Sequence, residues 1–143
     1  HMSHKVFNVA YALDYVFDMI RNVYDNRVVF VDGTKEIAPG VTLHHVGGHT
    51  DGLQVVRVPT KRGWIVLASD ASHYYMNMQT ENPFPLVYSV GDMVQGYATM
   101  ADLADSPRHI VPGHDPLVMQ EYPAPTPESE GIVVRLDVPP KDL

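Results

Sequence analysis

Val46-Gly47-Gly48-His49-Thr50-Asp51-Gly52 lies between two β-like runs, Val41 to Val46 and Leu53 to Val58. Glycine reaches positive φ and lets backbone approach closely, so Gly-Gly-His-x-x-Gly predicts a tight turn that presents one imidazole. A plain hairpin turn that happens to carry a histidine has the same local signature. What separates the two readings is the company His49 keeps further along the chain.

Two more strand ends carry groups of metal-ligand type. Trp64-Ile-Val-Leu-Ala68 is an apolar run of the kind that forms a strand buried on both faces, and it ends in Ser69-Asp70. A carboxylate where a core strand leaves the sheet costs free energy to bury without a cationic partner, although Asp70 could equally cap the next segment. His109-Ile-Val111 leads through Pro112-Gly113 to His114-Asp115. Imidazole and carboxylate at three strand ends, His49, Asp70 and His114, suit Zn(II), Mn(II) or Fe(II).

The order Gly-His-Thr-x-Gly, strand to Ser-Asp, then Pro-Gly-His resembles the metallo-β-lactamase fold, and within it the N-acyl homoserine lactonase-like hydrolases. The resemblance runs from about Val28 to the end of the chain. It implies that His49 is a histidine ligand of a first metal, that Asp70 bridges two metals, and that His114 is a ligand of the second. It also implies zinc, two ions per complete site, with Mn, Fe or Co as alternatives, and a metal-activated hydroxide that attacks a lactone or other ester carbonyl. Asp70 would then hold the metals and relay a proton.

The chain departs from that pattern twice. No His-x-His-x-Asp-His motif is present; His1 and His4 are three apart, and His44 and His45 are adjacent. The remaining residues offer each metal about two protein ligands, short of the three or four usual for zinc. The lactonases' active-site tyrosine, three residues after the bridging carboxylate, is His73 here, followed by Tyr74. Either one can stand in as the donor that stabilises an oxyanion.

The chain has 143 residues, 45% hydrophobic, with a formal net charge of −7, enough for one domain with its own core. The acidic balance argues against nucleic acid and anionic membrane as partners. The absence of cysteine excludes disulfides and thiolate sites. No apolar run reaches the length of a membrane span and no signal-peptide pattern opens the chain, so the cytoplasm is the expected compartment. His1-Met2 reads equally as a cloning remnant or as native sequence.

The expected domain, 1–143, divides into a helix at 8–24, a β meander at 28–69, a pocket loop at 70–90 and a closing helix-and-strand segment at 91–143. Val9, Leu13, Val16, Phe17, Ile20 and Val23 have helical spacing, with Asn8 as the N-cap. Val28 to Val31 reads as a strand closed by an Asp32-Gly33 hairpin turn, Lys35 to Ile37 pairs next, and the runs already described complete the meander. His44 and His45 point to opposite faces, so a hydrogen-bonded use suits them better than ligation. Tyr74, Tyr75, Met76, Met78 and Phe84 either wall an apolar pocket or cover the core. Asp92 to Ala104 reads as a helix and Ile132 to Leu136 as a last strand. Asp115 either holds His114 in one tautomer or caps a short helix from Pro116 to Glu121.

These elements predict an α+β fold, mostly antiparallel, equivalent under the resemblance to the C-terminal half of an αβ/βα sandwich. A half-sandwich exposes an apolar sheet face, which a homo-oligomer or the missing N-terminal half would cover. Three functions compete: a lactone or ester hydrolase, inactive or very weak as this chain alone; a non-catalytic metal-binding or protein-interaction module; and a hydrolase whose ligand set is completed between associated chains.

Overall fold

The computed structural model describes residues 3–6, 8 and 11–141. They fall into two compact units, residues 1–32 and 33–143. The first holds helix α1, Leu13–Tyr24, with Asp14 in its first turn, Arg21 in its last, and an exposed Asp18–Arg21 pair of 2.7 Å. None of its residues is buried. The helix begins later than its periodicity predicts: Val9 lies outside the described residues, and Ala12, which makes no side-chain cap bond, holds the N-cap position in place of Asn8.

The second unit is a five-stranded sheet ordered β1-β2-β3-β4-β5. Its strands are β1 Thr34–Ala38, β2 Val41–His45, β3 Gln54–Thr60, β4 Gly63–Ser69 and β5 Ile110–Pro112. The first four form an antiparallel meander, and β5 lies parallel to β4. Helices α2 (Tyr75–Gln79), α3 (Val90–Leu103) and α4 (Leu117–Glu121) complete the unit with two single 3-10 turns. The architecture is α+β, with a mostly antiparallel sheet and flanking helices.

Residues opposite one another in a ladder share a face. Val55, Val66, Ala68 and Ile110 therefore point one way, and they are buried with Met93, Tyr97 and Met100 of α3 and with Phe84. Leu43, Val56 and Leu67 point the other way and stay half-buried, while Ile65 and Val111 on that same face are buried. Arg57 ties β3 to the end of α3: its guanidinium lies 3.7 Å over the Trp64 ring and its Nε donates to the Leu103 carbonyl at 2.8 Å. A cation on a helix's last carbonyls complements the helix dipole. Met100 has no exposed surface. Met100→Ala is expected to cost about 2–5 kcal/mol of stability by leaving a cavity, measured as a drop in the urea midpoint.

Two predicted strands are not strands. Val28 to Val31 is irregular, with Val29 and Phe30 exposed, so Asp32-Gly33 closes no hairpin; instead the Gly33 carbonyl accepts the His45 amide at 3.0 Å. Ile132 to Leu136 is irregular, and Ile132 is 78% exposed. β-branched runs carry strand propensity, but a strand forms only where a ladder partner meets it. The predicted irregular loop contains α2. Asn77 holds it, accepting the Tyr74 amide through Oδ1 and donating through Nδ2 to the Asn82 carbonyl, both at 2.9 Å.

Candidate metal centre

β4 and β5 are parallel neighbours, so their C-terminal ends emerge side by side, where open sheets with parallel strands tend to place ligands. Ser69 ends β4 with φ of 47°, a left-handed turn that throws Asp70 out of the strand. The segment after β5 then binds the segment after β4: Gly113 N donates to the Ser72 carbonyl at 2.9 Å, and His114 N to the His73 carbonyl at 3.0 Å. Gly113 is required there, because a Cβ on it would lie 2.6 Å from the Ser69 carbonyl oxygen.

This pairing brings Asp70, His73 and His114 together, with one ligand atom of each lying within 4.8 Å of the others. Both imidazoles reach the same carboxylate oxygen. His73 Nε2 is 3.0 Å and His114 Nε2 is 2.8 Å from Asp70 Oδ1. Phe84 stacks flat on His73, with ring centroids 3.4 Å apart. His114 is more than half exposed, so the cluster is open to solvent on that side.

Burial pushes the Asp70 carboxyl upward, but the hydrogen bond from His114, the charges of His49 and His114 and the hydrogen bond from His73 outweigh it and hold the group below the ordinary aspartate value. Burial and the neighbouring His114 hold His73 below the usual imidazole value, against the opposing pull of Asp70. An ionised carboxylate and a neutral imidazole are the forms that bind a metal. The donor chemistry, two imidazoles and a carboxylate in one cluster, therefore fits a divalent transition metal.

His49 stands beside this cluster. The Gly47-Gly48 turn seats it, with φ of 67° and 93° at the two glycines. A Cβ on Gly48 would meet backbone atoms of Met93 at 2.9 Å, so the turn lies directly on α3. His49 Nδ1 is 2.7 Å from the Leu86 carbonyl, which can only accept, so Nδ1 carries the proton. The His49 ring centroid is 6.0 Å from that of His73 and 5.5 Å from that of Phe84. Of the sequence candidates, Asp70 and His114 meet; His73, read as a replacement for tyrosine, joins them, and His49 flanks them. The Asp70-Ala-Ser-His73 spacing was the available signal, since a turn after a strand returns residue i+3 to residue i.

The remaining candidates lie outside that three-residue cluster. Asp115 receives the Tyr75 amide at 2.9 Å on one oxygen and the Leu117 amide at 3.0 Å on the other, so it caps α4 and pins α2 to the loop that carries His114. His44 sits between Thr34 and Thr42 hydroxyls, and His45 Nε2 donates to the Asp51 carbonyl. Tyr74 is half-exposed, its ring centroid 6.4 Å from that of His73. A cavity of about 490 Å³ is lined by Tyr75, Met76, Arg108, Asp115, Leu117 and Glu121 among others, and not by the cluster.

No family model matches the chain. An N-acyl homoserine lactonase of a Bacillus species is 42% identical over 55 residues, which are 38% of this chain and 22% of that relative. A second, from Bacillus cereus, is 38% identical over a stretch of the same length. Among solved structures, an N-acyl homoserine lactone hydrolase with N-hexanoyl-L-homoserine bound at its catalytic metal centre superposes with a TM-score of 0.56 at 26% identity, over 63% of this chain and 36% of that one. A probable metal-dependent hydrolase from Staphylococcus aureus shares the fold at a TM-score of 0.54 and 15% identity, over 69% of this chain and 35% of its own. The matched region is thus about a fifth of the curated relatives' length and about a third of the solved structures'. The chain accordingly carries a partial metallo-β-lactamase-type fold of the N-acyl homoserine lactonase-like kind.

Proposed function

We propose that this chain provides metal-holding residues for hydrolysis of a lactone or related ester. The observation that carries the reading is the meeting of Asp70 with two imidazoles at the adjacent ends of β4 and β5, in a chain similar to lactone hydrolases. A divalent cation, with zinc the first choice, supplies Lewis acidity that acidifies water and polarises a carbonyl. Asp70 and His114 are donors to it, His49 faces the cluster from the Gly-His-Thr turn, and Asp70 also takes up a proton from the attacking water. His73 and Tyr74 occupy the stretch where the resemblance places a tyrosine, and Tyr74 retains the phenol that can donate to a developing oxyanion.

The matched relatives extend well beyond this chain, so the site works in company. Either a second copy or further polypeptide covers the half-buried sheet face of Leu43, Val56 and Leu67. A monodisperse, heat-stable monomer in light scattering counts against this. We place the reaction in the cytoplasm, which fractionation of the native host checks.

The test is ring opening of an N-acyl homoserine lactone, followed as acid release, with and without added zinc. The isolated chain should be at most weakly active, and activity in its assembled form should vanish with a chelator. Tyr74→Phe is expected to lower kcat by about 100-fold, the scale of one lost oxyanion donor, with the metal content unchanged. Full metal occupancy with no hydrolysis of any lactone or ester in the assembled form would overturn the reading. It would favour a non-catalytic metal-binding module built on the Asp70-His73-His114 cluster.

A further inference from the structure

We infer that the loop 82–86 is a brace for two imidazoles, those of His73 and His49, with Phe84 as its positioning residue. It rests on the metal-holding reading above, and Phe84 acts there only through the histidines.

An imidazole nitrogen directs its lone pair in the plane of the ring, so a histidine serves a cation only while that plane is held. Phe84 holds the plane of His73. The two rings lie within 7° of parallel with centroids 3.4 Å apart, and His73 Nε2 falls 3.0 Å from Asp70 Oδ1. Ring pairs free to choose prefer an offset or edge-on approach, with centroids about 4.5–7 Å apart. The close flat stack is therefore imposed by the backbones that carry the rings. Core packing with Val55, Ala68 and Met93 accounts for the burial of Phe84 but not for the stack.

The same loop reaches His49. Phe84 lies tilted against its ring at 5.5 Å, and His49 Nδ1 donates to the Leu86 carbonyl at 2.7 Å, which leaves Nε2 as the nitrogen with a lone pair. The chain on each side of the loop is fastened beside one of the two histidines. On one side the Asn82 amide donates to the Asn77 carbonyl, Asn77 Nδ2 donates to the Asn82 carbonyl, and Asn77 Oδ1 accepts the amide of Tyr74, next to His73, each at 2.9 Å. On the other side the amides of Tyr88 and Ser89 donate to the carbonyl of Gly48, next to His49, both at 2.9 Å. Pro83 and Pro85 flank Phe84, and a proline holds the residue before it in extended backbone, so the loop keeps little freedom.

The test compares Phe84→Leu, which keeps an apolar side chain but no flat ring, with Met100→Leu, a volume-conserving change in the same core. Circular dichroism checks that each variant folds. Histidine ring ¹H and ¹⁵N spectra of the full, metal-free chain are read first, then Co(II) affinity from d–d absorbance. In the wild type the His73 ring protons should lie upfield, under the phenyl ring. Phe84→Leu should move them downfield and shift the ¹⁵N signal of Nε2 as its bond to Asp70 loosens. It should also weaken Co(II) binding by about 10–100-fold, the scale of a lost outer partner of a ligand. Met100→Leu should leave the histidine signals and the affinity unchanged. If Phe84→Leu fails to fold, Pro85→Gly takes its place: it loosens the loop at an exposed position and should move both readouts in the same directions. Unmoved His73 signals, an unchanged Co(II) affinity, or equal effects in Met100→Leu overturn the brace and leave the metal reading standing. A wild-type chain that binds no Co(II) sinks the metal reading instead, and the His73 signals alone then decide the brace.

Discussion

Asp70→Ala is expected to abolish measurable metal binding, a loss of about 1,000-fold or more in affinity by competition against a chromophoric chelator. Changing an outer partner of a metal ligand costs about 10–100-fold, and Asp70 is more than that. Its Oδ1 is the point on which both His73 Nε2 and His114 Nε2 converge, and it carries the cluster's only negative charge. Removing it leaves two imidazoles with ring centroids 4.4 Å apart and nothing to offset a divalent charge between them. Asp70→Asn separates charge from shape, because the amide keeps an acceptor oxygen in nearly the same place. It should lose most of the affinity too. Wild-type affinity in the asparagine variant would mean that the carboxylate is a bystander to the histidines.

The second large effect is expected from Gly113→Ala, at about 2–4 kcal/mol of stability and with it the metal site. The added Cβ would sit 2.6 Å from the Ser69 carbonyl oxygen and 2.7 Å from its carbon. Both are backbone atoms, and Ser69 already occupies a left-handed conformation that a non-glycine residue adopts at some cost. Neither side can yield by rotating a side chain, so overpacking must be relieved by parting the two strand-end segments. That breaks the Gly113–Ser72 and His114–His73 bonds and carries His114 away from Asp70. For a chain of this size the thermal midpoint should fall by roughly 4 °C for each kcal/mol. Gly52→Ala is the matched control, since a Cβ there meets nothing within 4 Å, and its midpoint should barely move. Equal midpoints for the two variants would contradict the close approach at Gly113.

The parts of the molecule legible in sequence were those whose signal is local. Val41 to Val46 and Leu53 to Val58 alternate or run apolar up to glycine-rich turns, and they form β2 and β3 within two residues of their expected ends. The apolar spacing of Met93, Tyr97 and Met100 marked α3 as a helix that buries one side. Strand-end chemistry singled out Asp70 and His114 as candidates, and the structure sets their side chains 2.8 Å apart. What escaped was decided by pairing. Val28 to Val31 and Ile132 to Leu136 have the composition of strands, and composition does not reveal whether a partner edge is available. The parallel register of β4 and β5 is equally invisible, yet it is what brings His114 to the side of Asp70. Asp115 could be read as a partner of His114 or as a cap; its bond from the Leu117 amide places it at the start of α4.

The β4–β5 pairing has a consequence for the order in which the molecule assembles. Strands β1 to β4 are joined by short turns, so their ladders can zip locally, whereas about 40 residues separate Ser69 from Ile110. Closing a loop of that length costs chain entropy before any contact is gained, and such non-local contacts form late. His114 therefore stays apart from Asp70 and His73 until the last ladder closes. Metal uptake during refolding marks the completion of the fold, and its lag behind amide protection in β2 and β3 measures the time needed to close that loop.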